Sequence, residues 1–149
     1  MNLVNSLAEL TVIEIKDRAQ MEQAWAIRRV VFIEEQRVPA EIEMDDADAQ
    51  AFHALALERQ RPIGCGRMVA HDDHAKIGRM AVLRERRNCG VGRRVLEFLM
   101  EAARARGFRR ALLHAQLTAE GFYLRNGYLP IGEAFEEAGI MHRLMERQL

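Results

Sequence analysis

The chain has 149 residues, enough for one domain with a single hydrophobic core, and its 22 Lys plus Arg are balanced by 22 Asp plus Glu, a formal net charge of zero. That balance excludes the basic excess from which a dedicated nucleic-acid binder draws most of its affinity, and no apolar run is long enough to span a bilayer. The two cysteines, Cys65 and Cys89, form neither a metal-ligand spacing nor a disulfide framework, and the opening MNLVNSLAEL lacks the pattern of a secretory signal, so the expectation is a soluble cytoplasmic protein.

LTVIEI (10–15) alternates apolar and polar residues and predicts a strand, with residues 1–10 read as an N-terminal extension to a single domain covering 1–149. From Met21 the period changes. Met21, Ala24, Trp25, Val31 and Phe32 share one helical face with Arg28 in its middle, and the helix should stop before Pro39. EIEMDDADAQ (41–50), with five acidic residues, reads as a loop. FHALALE (52–58) and IGCGRMVA (63–70) predict strands joined across the turn-forming RQRP, and the polar turn HDDH (71–74) leads into a strand AKIGRMAVL (75–83). VGRRVLEFLMEAARARG (91–107) is the clearest helix, with Val91, Val95, Phe98, Leu99 and Ala102 as its apolar stripe and Gly107 placed for a C-terminal cap. RRALLHAQ (109–116) predicts a strand, 118–126 a short helix ending at Asn126-Gly127, and two last strands fall around 128–132 and 135–146.

The long helix therefore joins strands 75–83 and 109–116 in a βαβ crossover, which makes that pair parallel, while the preceding strands, joined by short turns, are antiparallel. The expected fold is α/β: a mixed central sheet with helices on both faces.

Between the first parallel strand and the long helix lies RERRNCGVGRR (84–94), five arginines around two closely spaced glycines. Helix N-termini carry unpaired N–H groups and a partial positive charge, so anions bind there; Gly90 and Gly92 would let a phosphate approach the backbone, and Arg87 could add a charged fork. A dinucleotide fingerprint fails because Val95 holds the third glycine position, and a Walker loop fails because no Gly-Lys-Ser/Thr follows. The remaining pattern, R-x-x-G-x-G from Arg87 to Gly92, is short enough to be a charged surface turn as well.

Placed after KIGRMAVL and before an amphipathic helix, Arg87-Asn88-Cys89-Gly90-Val91-Gly92 resembles the acyl-CoA-binding signature of the GNAT superfamily of N-acetyltransferases. AEGFYLRNGYLPIGEAF (119–135) resembles the later segment of that superfamily, with Tyr128 where phenylalanine is commoner. R-x-x-V-F-x-x-E-Q (Arg28 to Gln36), the acidic loop leading to His53, and E-x-G-I-x-H (Glu137 to His142) resemble its ElaA-like branch.

The resemblance implies a GNAT acyl-CoA N-acyltransferase fold whose two parallel strands splay to admit acetyl-CoA, with no metal. It implies that the backbone of Asn88, Cys89, Gly90, Val91, Gly92 and Arg93 holds the pyrophosphate, with Arg87 beside it, and that Met80, Ala81 and Val82 pair with the pantetheine arm, together with Gln116. A backbone N–H of Ala81 or Val82 would act as oxyanion donor. Tyr123 falls at the general-acid position, its alternative being a packing aromatic. Glu34, Glu35, His53, Glu137 and His142 are the candidates for handling the amine, with Glu35 the catalytic choice and Arg28, Glu34, His53 and His142 expected at the acceptor. Arg28 and Glu35, seven residues apart, would share a helical face and could equally be a structural pair. His53 and His142 alternate with apolar residues and could equally be core histidines. The acidic loop (Glu41 to Asp48) would attract a cationic amine or simply be solvated. HDDH cannot converge on a metal from one tight turn. The expected acceptor is a small-molecule amine, with neither nucleic acid nor membrane as partner and a homodimer as an admissible assembly. The other readings are a protein N-terminal or lysine acetyltransferase, or a non-catalytic acyl-CoA sensor of the same fold.

Overall fold

The computed structural model describes residues 9–149; residues 1–8, most of the expected extension, lie outside the described part. A seven-stranded sheet runs in the order β1-β2-β3-β4-β5-β7-β6. Its strands are β1 (Leu10–Glu14), β2 (Phe52–Glu58), β3 (Arg61–Ala70), β4 (Ala75–Val82), β5 (Arg110–Gln116), β6 (Leu129–Glu137) and β7 (Ile140–Gln148). Only β4 and β5 pair in parallel; every other neighbour is antiparallel, as the connection lengths require.

On one face lies α3 (Val91–Ala105), which buries Val91, Val95, Leu96, Leu99, Met100 and Ala103 against Ala54, Ile77, Leu113 and Met145. Each large side chain in this layer contributes roughly 1.5–3 kcal/mol by leaving water. Phe98 and Ala102, expected in the stripe, are only half-buried, so the stripe is centred on Leu96 and Met100 instead. Gly107 adopts φ 87° just past the helix, the left-handed cap that its position predicted.

The opposite face is covered by α1 (Arg18–Arg28) and the chain that follows it, through Ala24, Ile27, Val31, Phe32 and Val38 against Leu55, Cys65 and Ala81. Asp17 caps α1 by accepting from the Gln20 N–H at 2.8 Å. The helix does not run on unchanged to Pro39: Arg29–Glu35 winds as a π-helix. Its i→i+5 pattern puts more residues in each turn, so positions seven apart no longer share a face. The expected loop at 41–50 also holds ordered turns, a short helix α2 (Ala40–Glu43) and a 3₁₀ turn (Asp46–Ala49).

The last two strands differ from expectation as well. The hairpin turn sits at Ala138-Gly139, both with positive φ (54° and 78°), the conformation that two-residue hairpins favour. Glu133-Ala134, left between the two expected strands, falls inside a register shift between Ile131 and Phe135. As a result β7 lies between β5 and β6, and Gln116 pairs with His142, which in turn pairs with Phe135. A short helix α4 (Glu120–Arg125) follows β5.

Candidate active site

Parallel pairing of β4 with β5 covers only Ala75–Ala111, Lys76–Leu112 and Ile77–Leu113, although β4 continues to Val82 and β5 to Gln116. Beyond Ile77 the strands part. A bulge drives the separation: the β3–β4 register shifts between Cys65 and Arg67, and Arg79 on β4 takes φ 51°. The gap opens a cleft of about 1060 Å³ that reaches from α3 to the β6–β7 turn.

The free edge of β4 can be read from its hydrogen bonds. Leu83 donates its N–H to the Ile63 carbonyl at 2.9 Å, so alternation turns the Ala81 N–H toward β3 and the Val82 N–H and C=O toward the gap. Arg87 independently marks that edge, since its Nε donates to the Val82 carbonyl at 2.9 Å. Of the two expected oxyanion donors, only Val82 presents its N–H to the cleft; Ala81 contributes a lining wall. The Met80 side chain lies on the α3 side, where a Cβ on Gly66 would meet its sulfur at 2.6 Å.

At one end of the cleft stands the N-terminus of α3. Gly90 takes φ 87° and offers no side-chain cap, so the N–H groups of Val91, Gly92 and Arg93 have no partner in the helix. A Cβ on Gly92 would meet the Phe122 ring at 3.3 Å, so the bare backbone leaves room beside the ring. Asn88, Gly90, Gly92 and Arg93 line the cleft. The Val91 side chain is in the core, and the Cys89 thiol turns back on the Arg87 carbonyl at 3.4 Å, so at these two positions only the backbone is offered to the cleft end, the part of each residue that the expectation concerned.

Arg87 is not an open fork. Its NH1 and NH2 grip Glu35 at 3.0 and 2.8 Å, tying the phosphate-type loop to the π-helix. The cleft-lining cations at this end without an ion pair among the described residues are Arg93 and Arg125, the second of which carried no sequence signal. Altogether seven Lys or Arg side chains line the cleft against three carboxylates, so a chain of zero net charge has a positive cavity.

Tyr123, on α4, lines the cleft with 8% of its surface exposed, edge-on to Phe122 and to Tyr128. Its hydroxyl has no hydrogen-bond partner among the described residues. Burial pushes its pKa up, which keeps the phenol protonated. The Tyr128 hydroxyl, in contrast, is spent on the Met100 sulfur at 3.4 Å.

His142 lines the middle of the cleft beside Gln116. Its Nδ1 lies 2.7 Å from the Ile140 carbonyl, which can only accept, so Nδ1 carries a proton and Nε2 offers a lone pair in the neutral ring. Phe135 stacks on His142 at 6.0 Å and meets His114 edge-on at 5.0 Å. The His114 Nδ1 in turn binds Glu137 at 2.8 Å. His114 was not a sequence candidate. The alternation of Ala111, Leu113 and Ala115 toward the core was its available signal, because it sends Leu112, His114 and Gln116 to the other face. Gln116 reaches across to Gln36 at 2.8 Å and bridges β5 to the π-helix.

Four expected site residues are elsewhere. Glu34 is exposed and does not line the cleft. Glu35 is absent from the lining too: the π-helix rotates it away from Arg28, and Arg87 and then Arg84 hold its carboxyl below the usual range. Arg28 is 1% exposed and fully engaged, by an ion pair to Glu43, by Asp48 at 2.8 Å and by the Glu43 carbonyl at 3.1 Å. His53 is buried behind the same group with its Nε2 2.8 Å from the Asp48 carbonyl, and burial lowers its pKa.

Three of the five carboxylates of the acidic loop, Glu43, Asp45 and Asp48, are held by arginines, while Glu41 and Asp46 stay exposed. Arg67 binds Asp45 at 2.6 Å and Asp48 at 2.8 Å, and Arg79 reaches Asp45 at 3.3 Å. Hydrogen bonding from Arg67 is the main cause holding the Asp45 carboxyl at about 2. In the HDDH turn the two imidazoles stack on each other at 4.7 Å, and Asp73 pairs with His74 and Arg110.

The model of the acetyltransferase (GNAT) family matches residues 19–128. YjcF of Bacillus subtilis, named as an uncharacterised N-acetyltransferase, is 36% identical over 131 residues, which are 87% of this chain and 94% of that protein. The solved structure of a Lactobacillus plantarum protein described as an N-acetyltransferase superposes with a TM-score of 0.87 at 31% identity, over 94% of this chain and 98% of the other. Escherichia coli ElaA shares the fold at a TM-score of 0.81 and 24% identity, over 93% and 98% of the two chains.

Proposed function

Since the chain belongs to the acetyltransferase (GNAT) family of acyltransferases, we propose that it transfers an acetyl group from acetyl-CoA to the primary amine of a small molecule by direct attack. When bound, acetyl-CoA supplies the activated thioester. The N–H groups of Val91, Gly92 and Arg93, with the Arg93 and Arg125 side chains, bind the pyrophosphate at the α3 N-terminus. Val82 donates its backbone N–H to the thioester carbonyl from the free edge of β4. His142 accepts the amine proton at Nε2, and Tyr123 gives its phenolic proton to the departing thiolate.

The observation that carries this reading is the gap past Ile77 and Leu113, which joins an uncapped helix N-terminus to an unpartnered phenol. The far end of the cleft is lined by Val38, Ile42, Glu137, Ala138 and Ile140. The test is thiol release from acetyl-CoA over a broad panel of small amines and of peptides with free N-termini or lysines. Turnover confined to peptides would transfer the acceptor to proteins. Thermal stabilisation by CoA without thiol release on any amine would make the protein a sensor, and no stabilisation by CoA at all would end the reading.

A further inference from the structure

The acceptor end of the cleft holds a charge pattern that its carboxylates do not explain. Of the three lining carboxylates, Glu43 and Asp45 are taken by arginines and Glu137 by His114. Lys76 lines the same wall and has no ion pair among the described residues. Arg79 stands three residues further along β4, at the bulge, with a backbone that an arginine adopts only under constraint. Its Nε and NH2 donate to the Glu43 and Ile42 carbonyls at 3.1 and 3.2 Å, which leaves NH1 unengaged while a quarter of the side chain stays exposed. Burial and then the neighbouring Arg67 depress its pKa, against the opposing pull of Asp45 at 3.3 Å and Glu43 at 3.8 Å.

We propose that Lys76 and Arg79 form an anion subsite, so that the acceptor is an amine bearing a carboxylate or phosphate group at its far end. This rests on the reading of the cleft as an acetyltransferase site. Arg79 lies three residues from Val82, roughly 10 Å along a strand, so amine and anion are several bonds apart, as in an ω-amino acid rather than an α-amino acid. The acidic loop therefore selects indirectly. By consuming Glu43 and Asp45 it fixes Arg79 in place, and the sign presented to the acceptor's tail is positive.

The test is equilibrium binding to the full chain saturated with CoA, read as thermal stabilisation. The ligands are ω-amino acids of increasing chain length, each matched with its primary amide, and the corresponding aminoalkyl phosphates matched with aminoalkyl alcohols. Wild-type protein should bind at least one charged member about tenfold or more tightly than its neutral match, and Lys76→Gln and Arg79→Gln should each erase most of that ratio. Preference for the phosphates over the acids identifies the anion. Equal binding of charged and neutral members at every length, or a ratio unchanged in Lys76→Gln, overturns the subsite. Because Lys76 has no ion pair among the described residues, its variant isolates the effect from folding. If CoA itself fails to stabilise the protein, the acetyltransferase reading falls instead, and the charged and neutral ligands are compared on the free chain.

Discussion

Replacing Tyr123 by phenylalanine separates chemistry from folding unusually well in this protein. The side chain lies on the cleft wall and its hydroxyl bonds to nothing among the described residues while staying in contact with cleft solvent. A fully shielded hydroxyl without a partner costs about 1–3 kcal/mol, and contact with solvent removes part of that cost. Tyr123→Phe should therefore leave Tm unchanged or raise it slightly, while the ring keeps its contacts with Phe122 and Tyr128. If Tyr123 is the acid, kcat for thiol release should fall about a hundredfold, roughly 2.7 kcal/mol of barrier, with the acceptor KM and the CoA stabilisation little changed. The wild-type profile should also show no loss from phenol ionisation until well above pH 10, because burial raises the pKa and extends the protonated form. A Tyr123→Phe enzyme of undiminished kcat and normal stability would refute the assignment and return Tyr123 to packing.

Glu35 and His142 are distinguished by their variants: Glu35→Gln should leave kcat/KM nearly unchanged, whereas His142→Gln should cost about tenfold to a hundredfold in rate at neutral pH. Arg28→Met strands Glu43 and Asp48 in the interior, and chemical denaturation should report a loss of about 3–5 kcal/mol, with Tm lower by roughly 10 °C. The folded pKa of His53 lies below its unfolded value, so stability is complete above about pH 6.5 and declines as pH falls through the folded value; His53→Gln should flatten that segment of a denaturation-versus-pH series. Asp45, with its folded carboxyl at about 2, adds stability that is full above the unfolded value near 4 and lost between there and pH 2, so wild type should unfold steeply in that window and Asp45→Asn should not show its share.

Much of the fold was legible because its determinants are local. Strands β1 to β5 and the helix α3 follow from alternation, helical period and turn residues, while the splay was expected from the family resemblance alone. The final hairpin was placed early, at 133–134 instead of Ala138-Gly139, because which segment becomes the turn and which the bulge depends on pairing with β7, a non-local event. The π-helix was invisible for a similar reason. Nothing in RVVFIEE departs from an α pattern, yet one altered turn sends Arg28 to the acidic loop and Glu35 to Arg87.

The site residues divide along the same line. Tyr123, Val82, Gly90 and Gly92 line the cleft as expected, because their placement depends on main-chain position or on one side chain at one place in a motif. Arg28, Glu34, Glu35 and His53 lie outside the lining, and Arg87 lines it with its guanidinium engaged, because a charged residue's place depends on which opposite charge reaches it first. Arg87 reaches Glu35 before any phosphate, and Arg28, Arg67 and Arg79 reach the acidic loop before any amine. Once those pairs are subtracted, the cations lining the cleft that remain unpaired are Lys76 beside the acceptor and Arg93 and Arg125 beside the α3 N-terminus. Neutral overall composition thus conceals a cleft lined by seven cations and three carboxylates, and the two positive sites proposed above are drawn from it. The pairing pattern, rather than the count of charges, is what specificity in this protein is built from.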